Sequence, residues 1–292
     1  MRFLDLVDFR KPKTPGYGIS KSFYLSVLSP CAQLPAPSDW ISPTGPVKGF
    51  IAPLAGDKDA LHKPMERGAY AVTSLDKKTV MRCLVLPREE AGFDPDYYLA
   101  HPCSQALHTD IRSAIKATWT LIQLSFEGHH PMVSPSVWFA YSIASRLAEH
   151  VGGVVADPMS EDYLCPHEAR PVFAEEGPLS ADQIIRVKYP TEGTAHTLGL
   201  RKFGLPELEI SGFGLGVAES AGVLLVSVAQ TILNNGPLGE GAVLGDRDTP
   251  FKVVPGGMDR ARWDGIPCLD LLPEKTGTVD QAILGALGSR RD

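Results

Sequence analysis

The chain of 292 residues has no C-x-x-C pair, and its five cysteines (Cys31, Cys83, Cys103, Cys165 and Cys268) are odd in number and widely spaced. A disulfide framework and a structural zinc knot are therefore not expected, and a reducing compartment suits such a chain. Long hydrophobic runs are missing too. The longest apolar stretch, residues 221–233, is interrupted by Ser227, Gln230 and Thr231. It falls short of the ~20 residues that a membrane span needs. Residues 1–8 carry Asp5 and Asp8 where a signal peptide requires an unbroken apolar core. Positive charge is in deficit: 28 Lys and Arg against 34 Asp and Glu leave a net charge of −6. That balance argues against a surface that tracks nucleic-acid phosphates. A cytoplasmic protein is expected, with no membrane and no nucleic acid among its partners.

What is present is ordinary for a globular chain, with 43% hydrophobic and 21% charged residues. This composition excludes wholesale disorder, collagen and coiled coil. Prolines at 12, 15, 30, 35, 37, 43, 46, 53 and 64 exclude long helices from the first sixty-odd residues. Residues 1–78 read as a proline-rich arm or irregular β segment draped over a main domain at 79–292. The aromatics Tyr17, Phe23, Tyr24, Trp40 and Phe50 require that the arm be buried rather than free.

From Thr79 the pattern becomes regular. Residues 80–86 form an apolar run stopped by Pro87 and read as a strand. Residues 104–117 place Leu107, Ile111, Ala114 and Ile115 on one helical face, and residues 118–126 read as a buried strand. Ser134 and Pro135 mark a helix start, Val137, Tyr141, Ala144, Leu147, Ala148 and Val151 its apolar stripe, and Gly152-Gly153 its end. The strand at 154–157 then completes a βαβ unit. A hairpin over 185–200 and a second strong helix carrying Val217, Ala221, Leu224, Leu225, Val228 and Ile232 follow. Pro267 inside the last apolar run predicts an edge strand. The fold class expected is α+β: a mixed sheet with βαβ crossovers, ferredoxin-like halves, and two main helices on one face.

The segment His196-Thr197-Leu198-Gly199-Leu200-Arg201-Lys202-Phe203-Gly204-Leu205-Pro206-Glu207-Leu208 is distinctive. It resembles the Thr-x-Gly-Leu-x-x-Phe-Gly-x-Pro-Glu-Leu stretch of a bacterial family catalogued only as a domain of unknown function. Gly152-Gly153-Val154-Val155-Ala156-Asp157-Pro158 resembles that family's Gly-Gly-x-x-x-Asp-Pro pattern. The resemblance spans roughly residues 80–272 and leaves the proline-rich arm aside. It implies an α+β domain of intracellular bacterial origin and supplies no catalytic residue. Physically, Gly199 and Gly204 permit tight turns, Pro206 keeps Leu205 out of the helical region, and Phe203 and Leu208 are free to bury. The segment reads as a rigid strand-to-helix corner with Lys202 exposed.

Several groupings carry chemistry on paper. His101, Cys103, His108 and Asp110 would approach a metal site if His101 and His108 shared one helix face, but Pro102 sits at the helix start. Cys165-Pro166-His167 pairs a thiol with an imidazole at a spacing that catalytic pairs do not use. His129-His130 lies in a strand-to-helix loop, and Asp246-Arg247-Asp248 lacks the run of oxygen ligands a cation loop needs. Gly212, Gly214 and Gly216 open a helix and offer backbone N–H groups to a phosphate, yet Val217 stands where a dinucleotide fingerprint needs its third glycine. No metal or cofactor is expected. The leading expectation is a non-enzymatic binding or regulatory module acting through a protein partner, with His196, Phe203, Gly212, Gly214 and Gly216 as candidate binding residues. The alternative is a hydrolase-type enzyme using His196, Asp157, Cys165 and His167.

Overall fold

The computed structural model describes residues 18–55, 61–101, 104, 106–245, 249–256, 263, 265–275 and 277–288. The reading of residues 1–8, Pro102, Cys103 and the Asp246-Arg247-Asp248 turn lie outside the described residues. The chain divides into two compact units, residues 21–177 and residues 178–292, the latter joined by the segment that ends at Ser20.

In the first unit β1 (Tyr24–Ser29), β2 (Gly49–Pro53), β3 (Gly68–Ser74), β4 (Val80–Pro87), β5 (Thr120–Gly128), β6 (Val154–Asp157) and β7 (Asp162–Leu164) form one sheet in the order β2-β3-β4-β5-β1-β6-β7. Every neighbouring pair is antiparallel. The helices are α1 (Pro95–Ala100), α2 (Thr109–Lys116), α3 (Val133–Val151) and α4 (Pro166–Ala169). Helix α3 packs on β1 and β6, with Val137, Tyr141, Ala144 and Leu147 wholly buried. Leu25 and Val27 of β1, and Phe23 just before it, point to this face, and the Phe23 and Tyr141 rings lie 6.4 Å apart. The opposite set turns to the other face, where Leu28, Val154 and Ala156 pack with Phe93, Ile111 and Ile115. Strand β1 is therefore buried on both sides. Gly152, at φ 62°, ends α3 in the left-handed conformation. Gly153 then passes so close to β1 that a Cβ would collide with the Leu28 carbonyl oxygen.

The second unit contains α5 (Ala181–Ile184), β8 (Arg186–Thr191), β9 (Thr194–Leu198), β10 (Glu207–Ser211), α6 (Ala218–Asn235), β11 (Val243–Leu244), β12 (Phe251–Pro255), β13 (Cys268–Pro273) and α7 (Val279–Gly288). Its sheet runs β11-β12-β13-β10-β9-β8 and is mixed, because β10 and β13 are parallel. Helix α6 packs on β8, β9 and β10 and on α5 and α7. Gln230 of α6 holds the start of α5, accepting the Ala181 N–H at 2.8 Å and donating to the Leu179 carbonyl at 2.7 Å.

The α+β class is as expected, and several particulars differ. Among the described residues there are two sheets, each with its own main helix, rather than one sheet with both helices on one face. Strand β1 sits between β5 and β6, and β2 and β3 pair onward to β4, so strands from either side of residue 78 share a sheet. Proline excludes helices but leaves short strands between its positions, so a count of prolines hides β1. Strand β13 is interior, between β10 and β12, because Pro267 precedes its first paired residue and offers only its carbonyl, to Glu207 N–H. Helix α3 begins at Val133, one residue before the expected cap, with Ser134 inside its first turn. The helical stretch Leu215–Asn235 is long and apolar enough by length and composition to cross a membrane, with a mean hydropathy of 1.6. A 3-10 turn at Leu215–Val217 lengthens it beyond the apolar run visible in sequence.

Candidate functional site

A cleft of about 440 Å³ opens on the α2 side of the first sheet. Its floor is two rows of side chains that the strand register sets side by side. One row is apolar: Leu86, Leu121 and Leu28, across β4, β5 and β1. The next is mixed, with the polar Gln123 and Ser26 between Leu84 and Ala156. Each residue points the same way because strands alternate with period two and the register is in phase across four strands.

One wall is aromatic. Asp94 caps α1 by accepting the Asp96 N–H at 3.0 Å, and Pro95 fixes the first turn. Tyr98 stacks on Phe93 with ring centroids 4.7 Å apart, and Tyr97 meets Tyr98 edge-on at 5.7 Å. Phe93 is buried, whereas Tyr97 is 70% exposed at the rim. His101 ends α1 beside them and lines the cleft. The Ser104 hydroxyl, also in the lining, donates to the Tyr98 carbonyl at 2.7 Å.

The other wall is the β6–β7 turn, which supplies Asp157, Pro158, Glu161, Asp162 and Tyr163. Asp157 is 2% exposed and held from two sides. The Tyr141 hydroxyl donates to its Oδ2 at 2.7 Å, and the Ser160 N–H to its Oδ1 at 3.3 Å. Glu161 adopts φ 49°, in the left-handed region that non-glycine residues rarely occupy. By register Tyr24 lies opposite the Pro158 side of this turn, so the turn adjoins the row of Gln123 and Ser26, while the Asp157 carboxylate turns toward Tyr141 on the α3 face.

The residues singled out from sequence lie elsewhere, Asp157 and His101 excepted. His196 on β9 is 0% exposed. Its ring stands edge-on to Trp263 at 5.1 Å, and the Trp263 indole N–H donates to Glu209 at 2.8 Å. Phe203 is likewise fully buried. It sits in a 3-10 turn, Leu200–Phe203, between β9 and β10, so the corner joins two strands rather than a strand and a helix. Lys202, expected to be exposed, is 0% exposed and donates through Nζ to the Ile184 carbonyl at 2.6 Å. The organising residue of this corner is Glu207, which accepts the Gly199 and Arg201 N–H groups at 2.8 and 3.1 Å and the Thr197 hydroxyl. Desolvation pushes its carboxyl above the usual glutamate range, against the pull of those donors.

The glycine turn does not present a free anion cradle. Gly214 N–H donates to Asp280 of α7 at 2.8 Å, so a carboxylate already stands where a phosphate would bind. Gly212 ends β10 at φ 83°, and Gly216 lies in the turn before α6 with open space around its Cα. Cys165 precedes α4, its N–H donating to Glu168 at 2.7 Å. Burial and the neighbouring Glu168 push its thiol up from the usual value, the opposite of an activated thiolate. His101 and His108 cap different helices, the end of α1 and the start of α2, so they share no helix face. His130 Nδ1 accepts the Met132 N–H at 2.9 Å before α3. Among the described residues no three His, Cys, Asp or Glu side chains come together as a metal site.

The molecule is thus an α+β protein with an aromatic, acidic cleft on an antiparallel sheet. No protein-family model matches the chain, and neither the curated proteins nor the solved structures yield a significant match.

Proposed function

We propose that the chain is an intracellular binding module that acts through a protein partner, with the cleft of the first unit receiving a segment of that partner. The observation that carries this reading is the cleft and its rim together. An apolar floor with a few convergent polar groups is the usual make-up of a recognition site. Tyr97, 70% exposed beside it, continues the aromatic surface outward beyond the cavity, as interface anchors do. The hydrolase alternative lacks support. His196 has no exposed surface, Asp157 is engaged by Tyr141, and the Cys165 thiol is held in its protonated form.

The same reading takes the units as ferredoxin-like halves. In the first, β5 and β6 run in the same direction with β1 antiparallel between them, and α3 connects them. It takes α6 as a core helix rather than a membrane span, since Leu225 and Ala229 are wholly buried. The acidic net charge favours a protein over a nucleic acid.

The test is site-specific photocrosslinking in cells. A benzophenone amino acid at position 97 is expected to give one discrete protein adduct. The same group at Val172, which is 75% exposed and outside the cleft lining, is expected to give none. Equal adducts from both positions, or ester hydrolysis abolished by Cys165→Ala, would overturn the reading.

A further inference from the structure

We infer that the cleft reads an uncharged side-chain amide, that of a glutamine or asparagine in the partner segment, an inference that rests on the cleft being the recognition site. Two polar groups on the floor carry it. Ser26 of β1 is 7% exposed and lines the cleft. Its hydroxyl has no hydrogen-bond partner among the described residues. Gln123 of β5 is half-buried in the same floor, and its carboxamide is likewise unengaged among the described residues. The register sets Ser26 directly opposite Gln123. Cross-strand partners on one face hold their Cβ atoms ~4.5–5.5 Å apart, so both groups address one ligand group. Around them the floor is apolar, with Leu84 and Ala156 in the same row. A polar group nine-tenths removed from water and left without a partner is costly, and a ligand that supplies the partner removes that cost.

The donors and acceptors of the pair decide the ligand. The Gln123 carboxamide donates through Nε2 and accepts through Oε1, and the Ser26 hydroxyl does either. A carboxamide on the ligand answers both groups. Its NH2 donates to Oε1, and its oxygen accepts from Nε2 and from the Ser26 hydroxyl. A carboxylate only accepts and sets an oxygen against Oε1. An ammonium only donates and meets Nε2 with a second donor. An aliphatic side chain seals both groups from water unpaired, which a site built for hydrogen bonding rejects. The amide comes from a side chain rather than the backbone. Tyr97 at the rim is 70% exposed and Ser26 on the floor 7%, so a segment crossing at the rim reaches the floor through a side chain. The adjoining row of Leu86, Leu121 and Leu28 receives an aliphatic neighbour of that amide.

Fluorescence polarisation with three labelled peptides tests this: acetyl-Leu-Gln-Leu-amide, the norleucine analogue that keeps the chain without the amide, and the glutamate analogue. The backbone and terminal amides are common to all three, so their differences report the central side chain. The glutamine peptide is expected to bind about tenfold more tightly than either analogue. Gln123→Met keeps the length and removes donor and acceptor, and is expected to bring glutamine and norleucine peptides within about twofold. Ser26→Ala is expected to weaken the glutamine peptide and leave the norleucine peptide unchanged. Should either variant not fold, the ranking of the three peptides on the unaltered chain decides. Equal binding of all three, weakened alike by Tyr97→Ala, would overturn the amide selection and leave the cleft as a recognition site. Tightest binding by the norleucine or the glutamate peptide would overturn it as well, as would a glutamine preference that survives in Gln123→Met. Absence of binding by every peptide at millimolar concentration would overturn both readings.

Discussion

The Thr197 hydroxyl donates to the Glu207 carboxylate at 2.8 Å, and through its oxygen accepts the Leu208 N–H at 2.8 Å. Together with the Gly199, Leu200 and Arg201 N–H groups, this makes Glu207 the hub on which β9, the 3-10 turn and β10 are tied. Replacing Glu207 by Gln leaves a single amide oxygen as acceptor and turns an NH2 group toward donors. The expected loss is ~1–3 kcal/mol, because buried backbone N–H groups lose their partner. Urea denaturation of Glu207→Gln checks it, and a midpoint equal to that of the unaltered chain would show that the turn stands without the hub.

The same carboxyl gives a pH dependence of definite sign. Burial raises its folded pKa above the ordinary value of 4.5, so the native state holds its proton longer than the unfolded chain does. Its contribution is then most favourable below that ordinary value and is lost as pH rises from there. The stability difference between the unaltered chain and Glu207→Gln is expected to shrink as pH increases above 4.5. Denaturation curves for both proteins at several pH values give this difference, and a gap that widens with pH would contradict it.

Lys202 and Phe203, adjacent and both 0% exposed, are expected to fail together. Phe203→Ala removes a buried ring and is expected to cost ~3–5 kcal/mol. Lys202→Ala removes a buried stem and the donor to the Ile184 carbonyl. It is expected to cost ~1–3 kcal/mol. Lys202→Met keeps most of the stem, so comparing its melting curve with that of Lys202→Ala separates packing from the hydrogen bond. A Lys202→Ala curve identical to that of the unaltered chain would mean that the ammonium is not held in the interior.

Tyr141→Phe deletes the hydroxyl that anchors Asp157 from α3. A loss of ~1–3 kcal/mol is expected from the carboxylate left short of a donor. The β6–β7 turn should loosen with it, seen as faster amide exchange at Ser160, whose N–H also bonds Asp157. Unchanged exchange at Ser160 would show that Asp157 keeps its place without Tyr141.

Thiol chemistry supplies a fourth kind of measurement. Burial pushes the Cys83 thiol up to about 12, and Cys165 is raised as well. Thiolate is the reacting form. Iodoacetamide near neutral pH should therefore modify neither residue at an appreciable rate in the native protein. Rapid alkylation of Cys165, located by peptide mapping, would restore the case for a nucleophilic role.

Helices α3 and α6 were legible because their apolar stripes are local: one turn predicts the next. The hairpin of β8 and β9 was legible for the same reason, since its turn residues adjoin its strands. The division into two sheets was not, because it depends on which distant strands pair. The cleft was still less accessible. Its floor is assembled from β1, β4, β5 and β6, and Leu86, Leu121 and Leu28 become neighbours only once that register exists. Lys202 misled because a lysine between Arg201 and Phe203 reads as solvated, and only the folded position of the Ile184 carbonyl accounts for its burial. Asp157 was noticed as an acid, while the tyrosine that fixes it stood out only as one more residue of an apolar stripe.

The placement of β1 also bears on how the chain is made. This strand leaves the ribosome before either of its neighbours, with Leu25, Val27 and Leu28 on its two sides and no partner for its backbone. Pairing on one edge must wait until Thr120–Gly128 has been synthesised, and on the other until Val154–Asp157 has followed. At translation speeds of ~5–20 residues per second that interval is on the order of ten seconds. For that time an apolar segment stays available to other nascent chains. The sheet of the first unit can therefore close around its central strand only after residue 157 has emerged.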